Sequence, residues 1–208
     1  MKTFKTEQEE FWASEFGDEY INRNQGAQLL ASNLNFFVRA LNRVGKLESI
    51  KEFGANIGMN LKALKLLYPS AALKAVEINP KACLELNDFI GPENVFQGSI
   101  YDSPVEKPVD VSLIKGVLIH INPNMLHLVY EKLYQNSSKY ILIAEYYNPS
   151  PVTINYRGHK DRLFKRDFAG EFLSKYPDTN LIDYGFVYRN DSAFPQDDIT
   201  WFLIQKNS

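Results

Sequence analysis

Ser49-Ile50-Lys51-Glu52-Phe53-Gly54-Ala55-Asn56-Ile57-Gly58-Met59-Asn60 leads from a β-prone run through two glycines into a helical run at 61–67. Gly54 lets the backbone turn with no Cβ in the way, and Gly58 allows close approach of chain to ligand or of helix to strand. The helix that starts near Met59 presents free N–H groups and the positive end of its dipole. An acid, a glycine, three residues and a second glycine at such a turn suggest a site for a nucleotide-type cofactor. A plain structural turn is the other reading of so short a pattern, and the rest of the chain has to decide.

Downstream, short apolar runs alternate with helical ones. Strands are expected at 49–53, 73–77, 94–97, 110–114 and 139–146, with helices at 60–67, 80–89 and from Pro123, a residue favoured in the first turn. Such alternation means a parallel sheet with helices on both faces. Beyond it, 148–165 reads as irregular and basic, 167–176 as a helix, and 181–188 and 199–205 as two strands joined without a helix, hence an antiparallel pair. Upstream, 7–16 reads as a helix followed by a loop through Asn24. Residues 26–44 read as an amphipathic helix with Leu30, Leu34, Phe37, Val38 and Leu41 at three- and four-residue steps. The expected organisation is a helical cap over 1–45 and one compact α/β unit over 46–208.

Composition narrows the function classes. With 208 residues and 45% hydrophobic content, one domain with a sizeable core is expected. A net charge of −2 gives no global attraction to nucleic acid or an anionic membrane. The single Cys83 rules out an internal disulfide framework and fits a reducing, cytoplasmic setting. The N-terminus is polar and lacks the apolar stretch of a signal peptide. No run approaches the roughly 20 apolar residues of a membrane span. No metal ligand set is expected, and the composition sets no oligomeric state.

Ligands of an open α/β sheet sit beyond the carboxyl ends of its strands. Glu77-Ile78 ends the second strand. Glu77 lies some 20 residues past the second glycine, where an acid that binds ribose hydroxyls is expected. An exposed strand-end carboxylate is its other reading. Gly98-Ser99-Ile100 follow the third strand, Lys115-Gly116-Val117 the fourth, and Glu145-Tyr146-Tyr147 the fifth. Polar or small residues at every strand end favour the cofactor reading of the first loop.

With those residues in place, the chain from about 49 to 205 resembles the class I S-adenosylmethionine-dependent methyltransferases. Glu52-x-Gly54-x-Asn56-x-Gly58 looks like that family's first motif, with Asn56 in place of its middle glycine. The resemblance implies a Rossmann-like, seven-stranded, mostly parallel sheet with an antiparallel last strand. It places Glu52 and Gly54 near the methionine part of the cofactor, with Ala55, Asn56, Gly58 and Asn60 in the same loop. Glu77 and Ile78 would lie at the ribose, Ser99 and Ile100 at the adenine, and Lys115, Gly116 and Val117 beside the sulfonium. Ser99 stands where the family usually has an acid. A narrower resemblance is to the methylases associated with pseudaminic acid biosynthesis. It rests on Phe11-Trp12-Ala13-x-x-Phe16-Gly17-Asp18-Glu19-Tyr20-Ile21-x-Arg23-Asn24, on 54–61, on 115–123 and on 156–171. Within that group Asn56 is no anomaly.

Arg157, His159, Lys160, Arg162, Lys165 and Arg166 fall within ten residues, against one acid, Asp161. Together with Tyr147 and Tyr156 they suit a small anionic acceptor, because arginine offers a planar fork to carboxylate or phosphate. A solvated loop is the alternative, and the acidic overall balance opposes nucleic acid. His120 is the candidate general base, with Tyr146 and His159 in reserve; a buried histidine at the Asn122-Pro123 turn is its other reading. Tyr20 and Arg23 are expected to fold over the cofactor, with Arg23 on the methionine carboxylate, or else to clamp the cap to the sheet. The leading expectation is a methyltransferase using S-adenosylmethionine, in polysaccharide biosynthesis, on a nonulosonic (pseudaminic-type) sugar acid or its nucleotide-activated form. The alternatives are an NAD-type oxidoreductase, whose Gly-x-Gly-x-x-Gly loop is absent, and a non-catalytic, cofactor-binding partner subunit.

Overall fold

A computed structural model describes residues 4–156 and 158–207, without the side chains of 159–161. Arg157 and the side chains of His159 and Lys160 therefore lie outside the described residues. In chain order the elements begin with helices α1 (Glu7–Ala13), α2 (Glu15–Arg23) and α3 (Ala27–Ala40). Next come β1 (Ser49–Phe53), α4 (Met59–Leu67), β2 (Ala72–Glu77), α5 (Pro80–Ile90), β3 (Val95–Gln97) and β4 (Val109–Lys115). Then follow α6 (Leu126–Asn136), β5 (Ser137–Glu145), β6 (Val152–Tyr156), β7 (His159–Lys165), α7 (Phe168–Lys175), β8 (Thr179–Val187) and β9 (Ile199–Lys206).

Seven strands form one sheet in the order β3-β2-β1-β4-β5-β9-β8. β1 to β5 are parallel, β9 runs antiparallel to β5, and β8 runs antiparallel to β9. The alternation of side chains along each strand builds two cores. Leu142 and Ala144 face the layer of α3 and α4, with Phe36, Phe37, Leu61 and Leu64. Ile141 and Ile143 face the layer of α6 and α7, with Val129, Leu133 and Phe172. Phe36 and Phe37 are fully buried, and full burial of each stabilises the fold by about 1.5–3 kcal/mol. α3 thus belongs to the main core, and the part of the chain that roofs the sheet end is α1 with α2. Phe53 pairs with both Val76 and Ile114, so the ends of β1, β2 and β4 are level and their following turns meet in one place.

Three segments differ from the sequence reading. The expected loop after Phe16 is helix α2. Its Gly17 is a packing residue, since a Cβ there would lie 2.0 Å from the Trp12 carbonyl oxygen. The segment read as irregular over 148–165 is the hairpin β6–β7, a separate two-stranded sheet. Its turn contains Gly158 at φ +86; β6 alternates Val152, Ile154 and Tyr156, but the basic run of β7 offers no matching apolar alternation. Pro123 opens a single 3-10 turn, and α6 begins only at Leu126.

α1 is fixed by a capping box. Thr6 Oγ1 accepts from the Glu9 amide at 3.2 Å, and Glu9 Oε2 accepts from the Thr6 amide at 2.9 Å. No helix among the described residues is long and apolar enough to cross a membrane.

Candidate active site

The turns after β1 to β4 and the inner side of α1–α2 line one cleft. At its floor, the Gly54 and Ala55 amides both donate to the Val76 carbonyl, at 2.8 and 3.2 Å. Gly54 has φ +76, and a Cβ on it would lie 2.5 Å from Val117 Cγ2. Asn56 has φ 48 and is the one non-glycine with positive φ among the described residues. Asparagine tolerates this left-handed region better than most side chains. The resulting turn aims the Asn56 amide at Glu77 Oε2, 2.7 Å away. Glu77 Oε1 accepts from the Ile78 and Asn79 amides, each at 2.8 Å. Burial raises the Glu77 pKa against the pull of these three amides. The carboxylate ties the first loop to the second and still has lone pairs for a ligand hydroxyl.

Glu52 lies beneath the loop, fully buried. Its Oε1 accepts from Asn60 Nδ2 at 2.6 Å, while Oε2 is buried with no partner among the described residues. Burial pushes its pKa up to about 8, opposed by the Asn60 hydrogen bond and the Lys115 charge. Lys115, at the end of β4, holds its Nζ 5.4 Å from the Phe36 ring centroid. Desolvation lowers its pKa, while Glu52, Asp197 and Glu145 pull it back. The turn after Lys115 hangs on Glu145. One oxygen of that carboxylate accepts from the Val117 and Leu118 amides at 2.9 Å, and burial pushes its pKa up to about 7. Gly116, at φ +68, donates to the Ala144 carbonyl at 2.9 Å. Beyond β3, Ser99 Oγ accepts from the Tyr101 amide at 3.2 Å and caps the turn carrying Ile100.

His120 sits in a 3-10 turn at the cap side of the cleft, nearly buried. Its Nδ1 lies 2.6 Å from the Arg162 carbonyl oxygen. A carbonyl only accepts, so Nδ1 carries the proton and Nε2 the lone pair. Burial pushes the His120 pKa down to about 4, which keeps the ring neutral. Trp12 and Tyr156 flank it, with ring centroids at 4.7 and 5.0 Å.

Of the residues expected at the cofactor, Tyr20, Gly54, Ala55, Asn56 and Asn60 line the cleft, as do Glu77, Ile78, Ser99, Ile100, Lys115, Gly116 and Val117. Glu52 backs them through Asn60, and Gly58 supplies the left-handed start of α4. Arg23 lies elsewhere, exposed over the Phe16 and Tyr20 rings at 5.3 and 5.9 Å. The described basic side chains of this segment, Arg162, Lys165 and Arg166, do not converge on the cleft as one group. Arg162 pairs with Glu7 at 3.1 Å and stacks over Phe11 at 5.5 Å. Arg166 pairs with Glu171 at 2.6 Å. Lys165 holds its Nζ 5.1 Å from the Tyr146 ring centroid. Burial raises the Tyr146 pKa, and the nearby Asp197 charge adds to the shift. Tyr147 is exposed, 6.1 Å from Phe202.

Sequence reasoning missed the cap's share of the lining: Gln8, Glu9 and Trp12 from α1, and Asn33 from α3. The clustering of Phe11, Trp12 and Phe16 was the available signal. Asn79 was missed as well. It caps α5 through the Lys81 and Ala82 amides and donates to Asp18 of α2 at 2.9 Å.

The strand order, the reversed β9 and the cleft at the ends of β1 to β4 define the Rossmann-like fold of the class I S-adenosylmethionine-dependent methyltransferases. No protein-family model and no curated protein sequence matches the chain. Among solved structures, it is similar to the 1,6-didemethyltoxoflavin-N1-methyltransferase of Burkholderia thailandensis, solved with S-adenosylhomocysteine, with a TM-score of 0.70 and 14% identity over 97% of this chain and 87% of that one. It is similar to the magnesium protoporphyrin IX methyltransferase of Synechocystis PCC 6803, also with S-adenosylhomocysteine, at 0.67 and 13% over 96% and 98%. The mitomycin 7-O-methyltransferase MmcR gives 0.67 and 13% over 97% of this chain, which spans 61% of that enzyme's length.

Proposed function

We propose that the protein is an S-adenosylmethionine-dependent methyltransferase acting on a small, polar, anionic acceptor. The observation that carries this reading is the construction of the cleft floor. The Gly54 cradle is closed to any Cβ, the Glu77 carboxylate is fixed by three amides, and the Glu52 carboxyl keeps one buried oxygen with no partner among the described residues. Glu52 and Lys115 are an acid and a cation close enough to feel each other's charge, which suits the ammonium and carboxylate of an amino-acid head group. With Arg23 turned to the surface, the carboxylate falls to Lys115. Glu77 would take the ribose hydroxyls, and the backbone around Ser99 and Ile100 the adenine.

When bound, the cofactor supplies an already activated methyl group. The chain's share is to align the acceptor, to exclude water under α1–α2, and to receive a proton. His120 Nε2 is the acceptor of that proton, because its other nitrogen is committed to Arg162 and its ring stays neutral.

For the acceptor we favour a nonulosonic, pseudaminic-type sugar acid or its nucleotide-activated form, placing the protein in cytoplasmic polysaccharide biosynthesis. The support is the basic composition of the β6–β7 hairpin, whose Tyr156 lies against His120. Arg162 and Arg166 already serve Glu7 and Glu171, so recognition of the anion would fall to Arg157, Lys160 and Lys165.

Calorimetry with S-adenosylhomocysteine and with NADH tests the cofactor. Binding of the first and not the second is expected, and binding of NADH alone would overturn the reading. A screen of sugar acids and nucleotide sugars with methyl-labelled cofactor then tests the acceptor. Tight cofactor binding with no transfer to any of them would favour a non-catalytic partner subunit.

A further inference from the structure

Two polar atoms at the cap side of the cleft have no hydrogen-bond partner among the described residues, and they are of opposite kinds. Trp12 Nε1 is buried and makes no hydrogen bond among the described residues. His120 has committed its Nδ1–H to the Arg162 carbonyl, and no described donor meets its Nε2. One atom only donates and the other only accepts. Their rings line the same cleft with centroids 4.7 Å apart and planes at 54°, and they do not bond each other. The surround is aromatic, with Tyr20 at 5.2 Å from Trp12 and Tyr156 at 5.0 Å from His120.

We propose that Trp12 Nε1 and His120 Nε2 together receive a neutral hydroxyl of the acceptor, so that the reaction is an O-methylation and Trp12 is a specificity-determining residue. This inference rests on the methyltransferase reading. A hydroxyl satisfies both atoms at once, donating to Nε2 and accepting from the indole. A carboxylate would accept from the indole but set its charge against the Nε2 lone pair. An ammonium would donate to Nε2 but face the indole N–H. As the hydroxyl oxygen bonds the methyl carbon, its proton passes to Nε2, and the electron pair of the broken carbon–sulfur bond stays on sulfur. Burial keeps His120 in the accepting form.

The chain holds two tryptophans, Trp12 and Trp201, so indole N–H resonances of the 15N-labelled full chain report on the site directly. With S-adenosylhomocysteine at saturation, phenol, benzoate and benzylammonium are titrated at pH 7. Phenol is expected to shift the Trp12 signal saturably and to leave Trp201 alone, while the two ions do neither. Trp12→Phe, which keeps a ring but removes the N–H, is expected to weaken phenol binding about tenfold or more, and His120→Phe likewise. An equal response to benzoate, no response to phenol, or an unchanged phenol affinity in Trp12→Phe overturns the proposal. The wild-type titration decides the matter even where a variant fails to fold. If the wild-type chain does not bind S-adenosylhomocysteine at all, the methyltransferase reading falls with it.

Discussion

Gly54 and Asn56 both have positive φ, yet they answer different demands. At Gly54 the demand is space, because any Cβ meets Val117. At Asn56 it is only backbone conformation, at a residue whose amide must reach Glu77. Gly54→Val should therefore abolish S-adenosylhomocysteine binding in calorimetry. Asn56→Gly should retain it, with stability changed by about 0.5 kcal/mol or less, since glycine adopts left-handed φ freely. Buried groups also give stability a pH signature. Glu52 titrates at about 8 in the folded chain against an ordinary 4.5. The folded chain then holds a proton that the unfolded chain releases, and stability falls as pH rises through that interval. His120 titrates at about 4 against an ordinary 6.5, so the unfolded chain takes up a proton that the folded chain refuses. Stability falls there as pH drops. The two slopes oppose one another between 4.5 and 6.5. Above 6.5 the Glu52 slope acts, joined up to about 7 by Glu145; Glu77, raised by burial, acts in the same direction, and Lys115, lowered by burial, acts against it. Thermal melts of the ligand-free chain should thus decline from pH 6.5 to 8, and Glu52→Gln should flatten that decline. His120→Phe should leave it in place and flatten the acid side instead.

The sheet was legible element by element, because its buried strands are short apolar runs separated by amphipathic helices. β4, buried along nearly all its length, is the clearest case. The cofactor rim followed from it, since strand ends of a parallel sheet meet in one place. The roof did not follow. α2 presents Gly17 and a run of polar residues, and only packing against Trp12 across the Ser14 break explains the glycine. The β6–β7 hairpin carries charges that bond to distant partners: Arg162 to Glu7 is a contact between residues 155 positions apart. No local pattern encodes such a pairing. The roof's dependence on Gly17 is open to test. Gly17→Ala puts a methyl group against the Trp12 carbonyl, so α1 and α2 should part and the cap undock. Limited proteolysis should then cut within 7–23, while the denaturant midpoint of the sheet changes little, because Phe36 and Phe37 of α3 anchor the core independently of the cap. Protection of 7–23 equal to that of the wild type would show that the helix pair absorbs the methyl group.

At the scale of the whole molecule, the cleft lies between layers of different construction. Its floor is sheet, built from the ends of β1 to β4 and braced by Glu77 and Glu145. Its roof is the cap, latched along the edge by Glu7 to Arg162, Asp18 to Lys81 and Lys5 to Asp102. These pairs are partly or largely exposed, and exposed pairs contribute about 0–1 kcal/mol each, so the roof is held chiefly by the packing of Ile21 on Ile57 and Ala82. β9 lies inside the sheet, hydrogen-bonded to β5 on one side and to β8 on the other. A chain ending at Asp198 should therefore be aggregated or unable to melt cooperatively, even though every cleft residue is present. A soluble, cooperatively melting truncation would mean that β1 to β5 stand alone. The position of β9 also sets an order in time. The ribosome makes residues 199–206 after every other strand of the sheet, yet they lie inside it, between β5 and the edge strand β8. During synthesis the nascent chain holds a bare edge on β5 and both edges of β8 open, with Tyr184 and Phe186 exposed on the latter. Unpaired edges of this kind invite pairing between chains, so the cell's holding chaperones have their largest claim on this protein in the interval just before β9 emerges.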